Sequence, residues 1–168
     1  MTDSIETERT LIRPFEPADA GAAHQWFSDL EVMKFIPSGG DETLEDTRHR
    51  IAGYIAHQKE FGFSKGIVIH RASGEPIGDG GLYHLPDGTR IELGFRFKRE
   101  FWGQGYAVEI GRAWIGRFDA AMPGRTLFAD VHPDHVRSQR VLQKLGLTFV
   151  EMFDNHGIQA AKYAIEAP

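Results

Sequence analysis

Between Arg90 and Glu109 the chain reads RIELGFRFKREFWGQGYAVE, and no other stretch restricts its fold as much. A segment of alternating apolar residues ends there and passes through Trp102-Gly103-Gln104-Gly105 directly into a long amphipathic segment. The pattern is strand, bare-backbone turn and helix in succession. A helix opening leaves its first N–H groups without intrahelical partners, and the helix dipole turns its positive end outward there. Glycine at 103 and 105 lets the backbone approach an anion closely and adopt angles that other residues avoid. Such a turn suits a pyrophosphate. The same Gly-x-Gly also serves as a plain packing turn, and these residues alone leave both readings open.

Two familiar phosphate sites do not fit. Gly103 and Gly105 begin a dinucleotide fingerprint, but its third glycine position is occupied by Val108. That fingerprint also follows a first strand, whereas about four strand-like segments precede this one. A P-loop requires a Gly-Lys-Ser/Thr ending, and none follows.

The remaining punctuation gives an ordered series of short elements. Thr10 to Arg13 reads as a strand stopped by Pro14. Pro17 and the Ala-rich run to Ser28 read as a helix with Ala23, Trp26, Phe27 and Leu30 on one face. Phe35 to Gly40 is a break, and Thr43 caps a helix from Leu44 to Phe61 that Gly62 ends. In that helix Leu44, Arg48, Ile51, Ile55 and Gln58 trace one stripe. Three hairpin-linked strands follow: Lys65 to Arg71, Pro76 to His84 and Thr89 to Phe97. A helix from Gln104 to Ala121 buries Ala107, Ile110, Trp114 and Phe118, and Thr126 to Val131 is a strand. Asp134 caps a helix that stops at Gly146, and Thr148 to Phe153 with Ile158 to Ile165 closes a last hairpin around Asn155-His156-Gly157. The expected fold is α/β (α+β): residues 1–168 as a single domain, with a mixed, mainly antiparallel twisted sheet of about seven strands and helices on both faces.

Composition narrows the function classes. With 168 residues, 41% of them hydrophobic, the chain carries a full core without staples. It has no cysteine, which excludes disulfides, thiolate metal sites and a cysteine nucleophile, and suits a cytoplasmic location. The opening MTDSIETERT is no signal peptide, and no apolar run approaches the ~20 residues that span a bilayer. A net charge of −5 without a basic block argues against nucleic-acid binding. Gly62-Phe63-Ser64-Lys65-Gly66 imitates the hydrolase nucleophile elbow, but here a helix precedes the serine and a strand follows, the reverse of what that turn needs. His132 and His135 are the closest histidine pair. Pro133 keeps them off a common helix face and no third ligand joins them, so no metal is expected.

Three spaced blocks resemble the Gcn5-related N-acetyltransferase family, in the branch that acetylates ribosomal-protein N-termini. They are Glu100-Phe101-Trp102-Gly103-Gln104-Gly105 with Tyr106-Ala107-Val108-Glu109, Val131 to Ser138 with Val141 to Gly146, and Thr7 to Phe15. Glu100 stands where relatives have Gln or Arg, His135 where they have Asn, and Leu147 where they have Phe. The resemblance implies an acetyl-coenzyme A (CoA)-dependent transfer of an acetyl group to a primary amine of a peptide N-terminus or small molecule, by direct attack. The alternative it allows is a non-catalytic acyl-CoA-binding or regulatory domain. Acetyl-CoA and the amine acceptor are then the partners of a monomer or homodimer, without nucleic acid, membrane or metal.

The resemblance also implies site residues. The backbone of Phe95 and Phe97 would pair with the pantetheine arm, with a bulge at Gly94. The amides from Phe101 through Trp102, Gly103, Gln104, Gly105 and Tyr106 to Ala107 would cradle the pyrophosphate. His135 would face the pantetheine, and Lys144 would reach the 3′-phosphate unless it is a solvated helix lysine. Trp102 reads equally as core packing and as cofactor contact. Glu92 would take the proton of the amine, although strict alternation also allows an exposed, ion-paired strand residue opposite Ile91, Leu93 and Phe95. Ser138 would serve the leaving thiolate, the alternative being a helix serine bonded to its own backbone.

Overall fold

The computed structural model describes residues 3–168. The elements in chain order are β1 (Ile5–Glu6), β2 (Thr10–Pro14), α1 (Ala20–Phe27), α2 (Leu44–Phe61), β3 (Lys65–His70), β4 (Pro76–His84), β5 (Ile91–Phe97), α3 (Tyr106–Ala121), β6 (Thr126–Val131), α4 (Val136–Lys144), β7 (Thr148–Asn155) and β8 (Ile158–Glu166). All strands join one sheet in the order β1-β2-β3-β4-β5-β6-β8-β7. Every pairing is antiparallel except β5 with β6. The expected mixed sheet with helices on both faces is therefore present, with eight strands where about seven were expected. The added one is β1, two residues too short to leave a signature in the sequence.

Each face of the sheet has its own apolar layer. One layer joins Trp26 and Phe27 of α1 and Ile51 and Tyr54 of α2 to Phe15 and Ile67. The other joins Ile110, Trp114 and Phe118 of α3 and Leu142 of α4 to Val68, Leu82, Leu93 and Leu127. Burying a large apolar side chain of this kind contributes ~1.5–3 kcal/mol, so α3 is anchored mainly by its three-residue stripe. α2 starts at a capping box, in which Thr43 Oγ1 accepts from the Asp46 amide at 3.2 Å and Asp46 accepts from the Thr43 amide at 2.8 Å. It ends at Gly62, whose φ of 77° is the left-handed turn that glycine favours.

Several sequence expectations are corrected. α1 ends at Phe27, so Leu30 falls beyond it and is exposed. The buried stripe of α2 is Thr47, Ile51, Tyr54 and His57, sharing only Ile51 with the expected one. Polar residues occupy this stripe because partners await them: Thr47 donates to Asp41, Tyr54 accepts from Arg96, and His57 bonds the Phe63 carbonyl. α3 opens at Tyr106, two residues after the expected start, because Gly103 and Gly105 both hold positive φ, 71° and 86°. The N-cap of α4 is His135 instead of Asp134.

The feature that makes a site is the parting of β5 from β6. They pair only at Ile91 with Leu127 and Glu92 with Phe128. Beyond that point β5 stays with β4 as far as Phe97, whereas β6 stays with β8 as far as Val131. The sheet opens as a wedge. The helices that follow these strands, α3 and α4, stand on either side of the opening. No bulge is involved: β4 and β5 pair in unbroken register, with Gly94 opposite Gly81. The opening arises because β5 and β6 diverge after two paired residues while each keeps its antiparallel neighbour, a property of strand order that a single glycine does not signal.

Candidate active site

Two cavities meet in the wedge. The larger, about 440 Å³, runs from Phe95 and Phe97 along the Phe101–Val108 turn to the outer face of α4. The smaller, about 250 Å³, lies over the end of β6 and reaches Glu92. Phe95, Ser138, His135 and Phe35 line both, so a molecule in one is in reach of a molecule in the other.

Cations dominate the charged lining of the larger cavity. Lys34, Arg137, Arg140 and Lys144 line it against a single carboxylate, Glu31, on a chain whose overall charge is −5. Gly103, Gly105, Tyr106 and Ala107 bring the opening of α3 to it. The N–H groups of Gly103, Gln104 and Gly105 have no acceptor among the described residues, which leaves a row of donors free at the positive end of α3. The Gln104 side chain is not part of the lining: its Nε2 donates to the Glu100 carbonyl at 2.8 Å. A Cβ at Gly105 would stand 3.4 Å from Arg9, so its positive φ constrains this position more than the space does. Arg9 in turn clamps the helix start. It donates to Glu109 at 2.7 Å and to the Gln104 carbonyl at 2.9 Å, and lies 4.1 Å over the Tyr106 ring. Burial works against ionised Glu109, but Thr7 and Arg9 outweigh it and hold the carboxyl below its ordinary range.

Trp102 packs on the core and also lines the larger cavity. Its indole donates to the Phe97 carbonyl at 2.8 Å, packs on both apolar layers, and carries the Arg137 guanidinium 4.0 Å over its ring. That contact bridges the wedge from the α3 turn to α4. Arg140 and Arg137 had no place in the sequence reading. Their helix position beside Lys144 becomes informative only once α4 is known to border the wedge.

The smaller cavity gathers acid and base groups. Glu92 Oε1 accepts from Lys65 Nζ at 3.2 Å, with both side chains mostly buried. Across the wedge, Asp130 stands 3.6 Å from Arg90, and burial raises its carboxyl above the ordinary range. Ser138 Oγ has no hydrogen bond to a described residue, so the bond to its own helix backbone is not made. Phe35 stacks on both His132 and His135, with ring centres 4.9 and 4.7 Å apart. The two histidines thus border one phenyl ring instead of sharing a ligand position. Burial first, then Arg137 and His132, lowers His135 to about 4, which keeps its imidazole neutral at physiological pH.

Glu92 follows the strand alternation, on the face opposite Ile91 and Leu93, but that face is covered by α1 and α2 and is not solvent. The same face buries Arg96. Asp79 accepts from Arg96 Nη2 at 2.6 Å and Nε at 3.0 Å and from Trp26 Nε1 at 2.9 Å, and Tyr54 accepts from Arg96 at 3.0 Å. Burial opposes the charge, but Asp79 and Tyr54 keep the guanidinium firmly ionised. The sequence signal for this pair was the hairpin, which sets Asp79 opposite Arg96.

Similarities to known proteins agree with this geometry. Residues 9–148 match the acetyltransferase (GNAT) domain family. YnaD of Bacillus subtilis, described as an uncharacterized N-acetyltransferase, is 32% identical over 143 residues, covering 85% of this chain and 81% of that protein. A GNAT-family acetyltransferase structure from Bacillus anthracis superposes with a TM-score of 0.84 at 28% identity, covering 98% of each chain. RimL, a ribosomal L7/L12 alpha-N-protein acetyltransferase solved in complex with coenzyme A, shares the fold with a TM-score of 0.81 at 16% identity over 97% of each chain. A family match across most of the chain and a relative above 30% identity lead to one assignment: the chain belongs to the GNAT family of acetyltransferases.

Proposed function

We propose that this chain transfers an acetyl group from acetyl-CoA to a primary amine, on a peptide N-terminus or a small molecule, by direct attack of the amine. The observation that carries the reading is the shared wall of the two cavities. A donor groove with cations and free amides opens through Phe95, His135 and Ser138 onto a cavity that holds a carboxylate. A pyrophosphate fits the amides of Gly103 to Ala107, and Lys144, with Arg137 and Arg140, suits a further phosphate. Acetyl-CoA, when bound there, supplies an acetyl group activated as a thioester.

The chain's own residues then have three tasks. The backbone of Phe95 and Phe97 borders the groove and orients an extended arm along β5, whose far edge no longer pairs with β6. Glu92 takes the ammonium proton of the acceptor, so that the nitrogen lone pair is free to attack. Ser138 donates its hydroxyl hydrogen bond to the departing sulfur; as a poor acid it acts by position, not by giving up its proton. Neutral His135 beside Ser138 offers an uncharged wall to the arm, the place an amide would take.

The test is release of free thiol from acetyl-CoA with a panel of alanyl, seryl and methionyl peptides, polyamines and amino sugars. One acceptor class should stand out. With that acceptor, Glu92→Gln should lower turnover ~10²-fold at neutral pH and recover at high pH, where the amine deprotonates unaided. Tight acetyl-CoA binding with no turnover on any amine would instead favour the non-catalytic reading.

A further inference from the structure

Lys65 has no part in the roles above, yet its ammonium lies in the acceptor cavity. How it gets there is a matter of register. Lys65 pairs across the sheet with Gly81, and Gly81 with Gly94, so the three share one face in one row. Neither glycine carries a side chain, and the lysine crosses β4 to end at β5. A Cβ built on Gly94 would stand 2.9 Å from Lys65 Nζ and 3.0 Å from Cε. At Gly81 any side chain would strike the Ser64 carbonyl at 2.3 Å. The two glycines therefore make a channel along which the lysine reaches Glu92 at 3.2 Å. Only about a tenth of the Lys65 side chain and a fifth of the Glu92 side chain is exposed. In that setting an ion pair is weakly screened and geometrically restrained.

We propose that Lys65 is the positioning residue for Glu92: its ammonium, carried over the Gly81–Gly94 channel, holds the carboxylate turned into the acceptor cavity. The inference rests on the reading of Glu92 as the group that takes the amine's proton. Without Lys65 the carboxylate faces Asp130 of β6 and the Tyr83 hydroxyl of β4, both of which interact with it electrostatically, and Asp130 repels it. On β5 itself, Arg90 is committed to Asp87 and Asp130, and Arg96 to Asp79. Lys65 is the cation paired with Glu92 among the described residues.

The experiment follows the Glu92 carboxyl by ¹³C NMR in the full-length protein, labelled at glutamate Cδ, with the signal assigned by its loss in Glu92→Gln. Lys65→Met should move and broaden that signal at neutral pH, because the carboxylate loses the ammonium that fixes its orientation. Lys65→Arg should keep it near the wild-type value. Gly94→Ala leaves the lysine in place but fills the end of its channel, and should shift the signal in the same direction as Lys65→Met. A wild-type signal in both Lys65→Met and Gly94→Ala would overturn the proposal. Because this readout needs no acceptor, it stands apart from the turnover of Glu92→Gln: unchanged turnover there removes the base role, whereas an unmoved signal removes only the role of Lys65.

Discussion

Replacing Asp79 by Asn tests the part of the structure on which the wedge rests. Asp79 is fully buried and Arg96 only 8% exposed, and the carboxylate receives Arg96 Nη2 at 2.6 Å, Arg96 Nε at 3.0 Å and Trp26 Nε1 at 2.9 Å. Asparagine keeps the shape but removes the charge, and its NH₂ would point at a donor. The guanidinium then stays buried without a counter-ion, which costs ~3–5 kcal/mol when one partner of such a pair is removed. Against a total stability of ~5–15 kcal/mol this is a large share. For a chain of this length each kcal/mol lowers the melting midpoint by ~2–4 °C, so a fall of about 10 °C is expected. Urea unfolding followed by tryptophan fluorescence measures it, with Trp26 as a reporter beside the pair. The double variant Asp79→Leu/Arg96→Met removes both charges and should regain at least half the loss. A cost under about 1 kcal/mol for Asp79→Asn would show that the pair is not isolated from water, and the account of the buried floor under the cavities would fail.

Two further outcomes bear on the donor groove. Gly105→Val places a β-branched residue at a φ of 86° and should weaken acetyl-CoA binding at least tenfold by calorimetry; unchanged affinity would remove the turn from the phosphate site. His135 is held low, to about 4, so the unfolded chain binds the proton more readily between pH 6.5 and 4 and wild-type stability should fall as pH drops through that window. His135→Asn should flatten that fall in urea titrations while leaving acetyl-CoA binding intact, and a large loss of binding would give His135 a role of its own.

Local pattern carried most of the architecture. The 3.6-residue stripe of Ile110, Trp114 and Phe118, the capping box at Thr43 and the turn glycines are short-range signals, and each element formed where its own residues favour it. The Gly103–Gly105 turn was legible for the same reason, because a positive φ at a helix start is a demand on single residues. The stripe of α2 was not, since Thr47 and His57 are polar and become core residues only when Asp41 and Phe63 supply hydrogen bonds. What tertiary structure alone decided is the wedge. Glu92 lies far in the chain from Ser138 and the cations of α4, and they share a site because β5 pairs with β6 for only two residues and then diverges from it, β5 staying with β4 and β6 with β8. The reach of Lys65 to Glu92 is likewise a matter of strand register, which sets Lys65, Gly81 and Gly94 in one row. Register depends on energies summed along whole strands, so no single residue announces which side chains it will bring together.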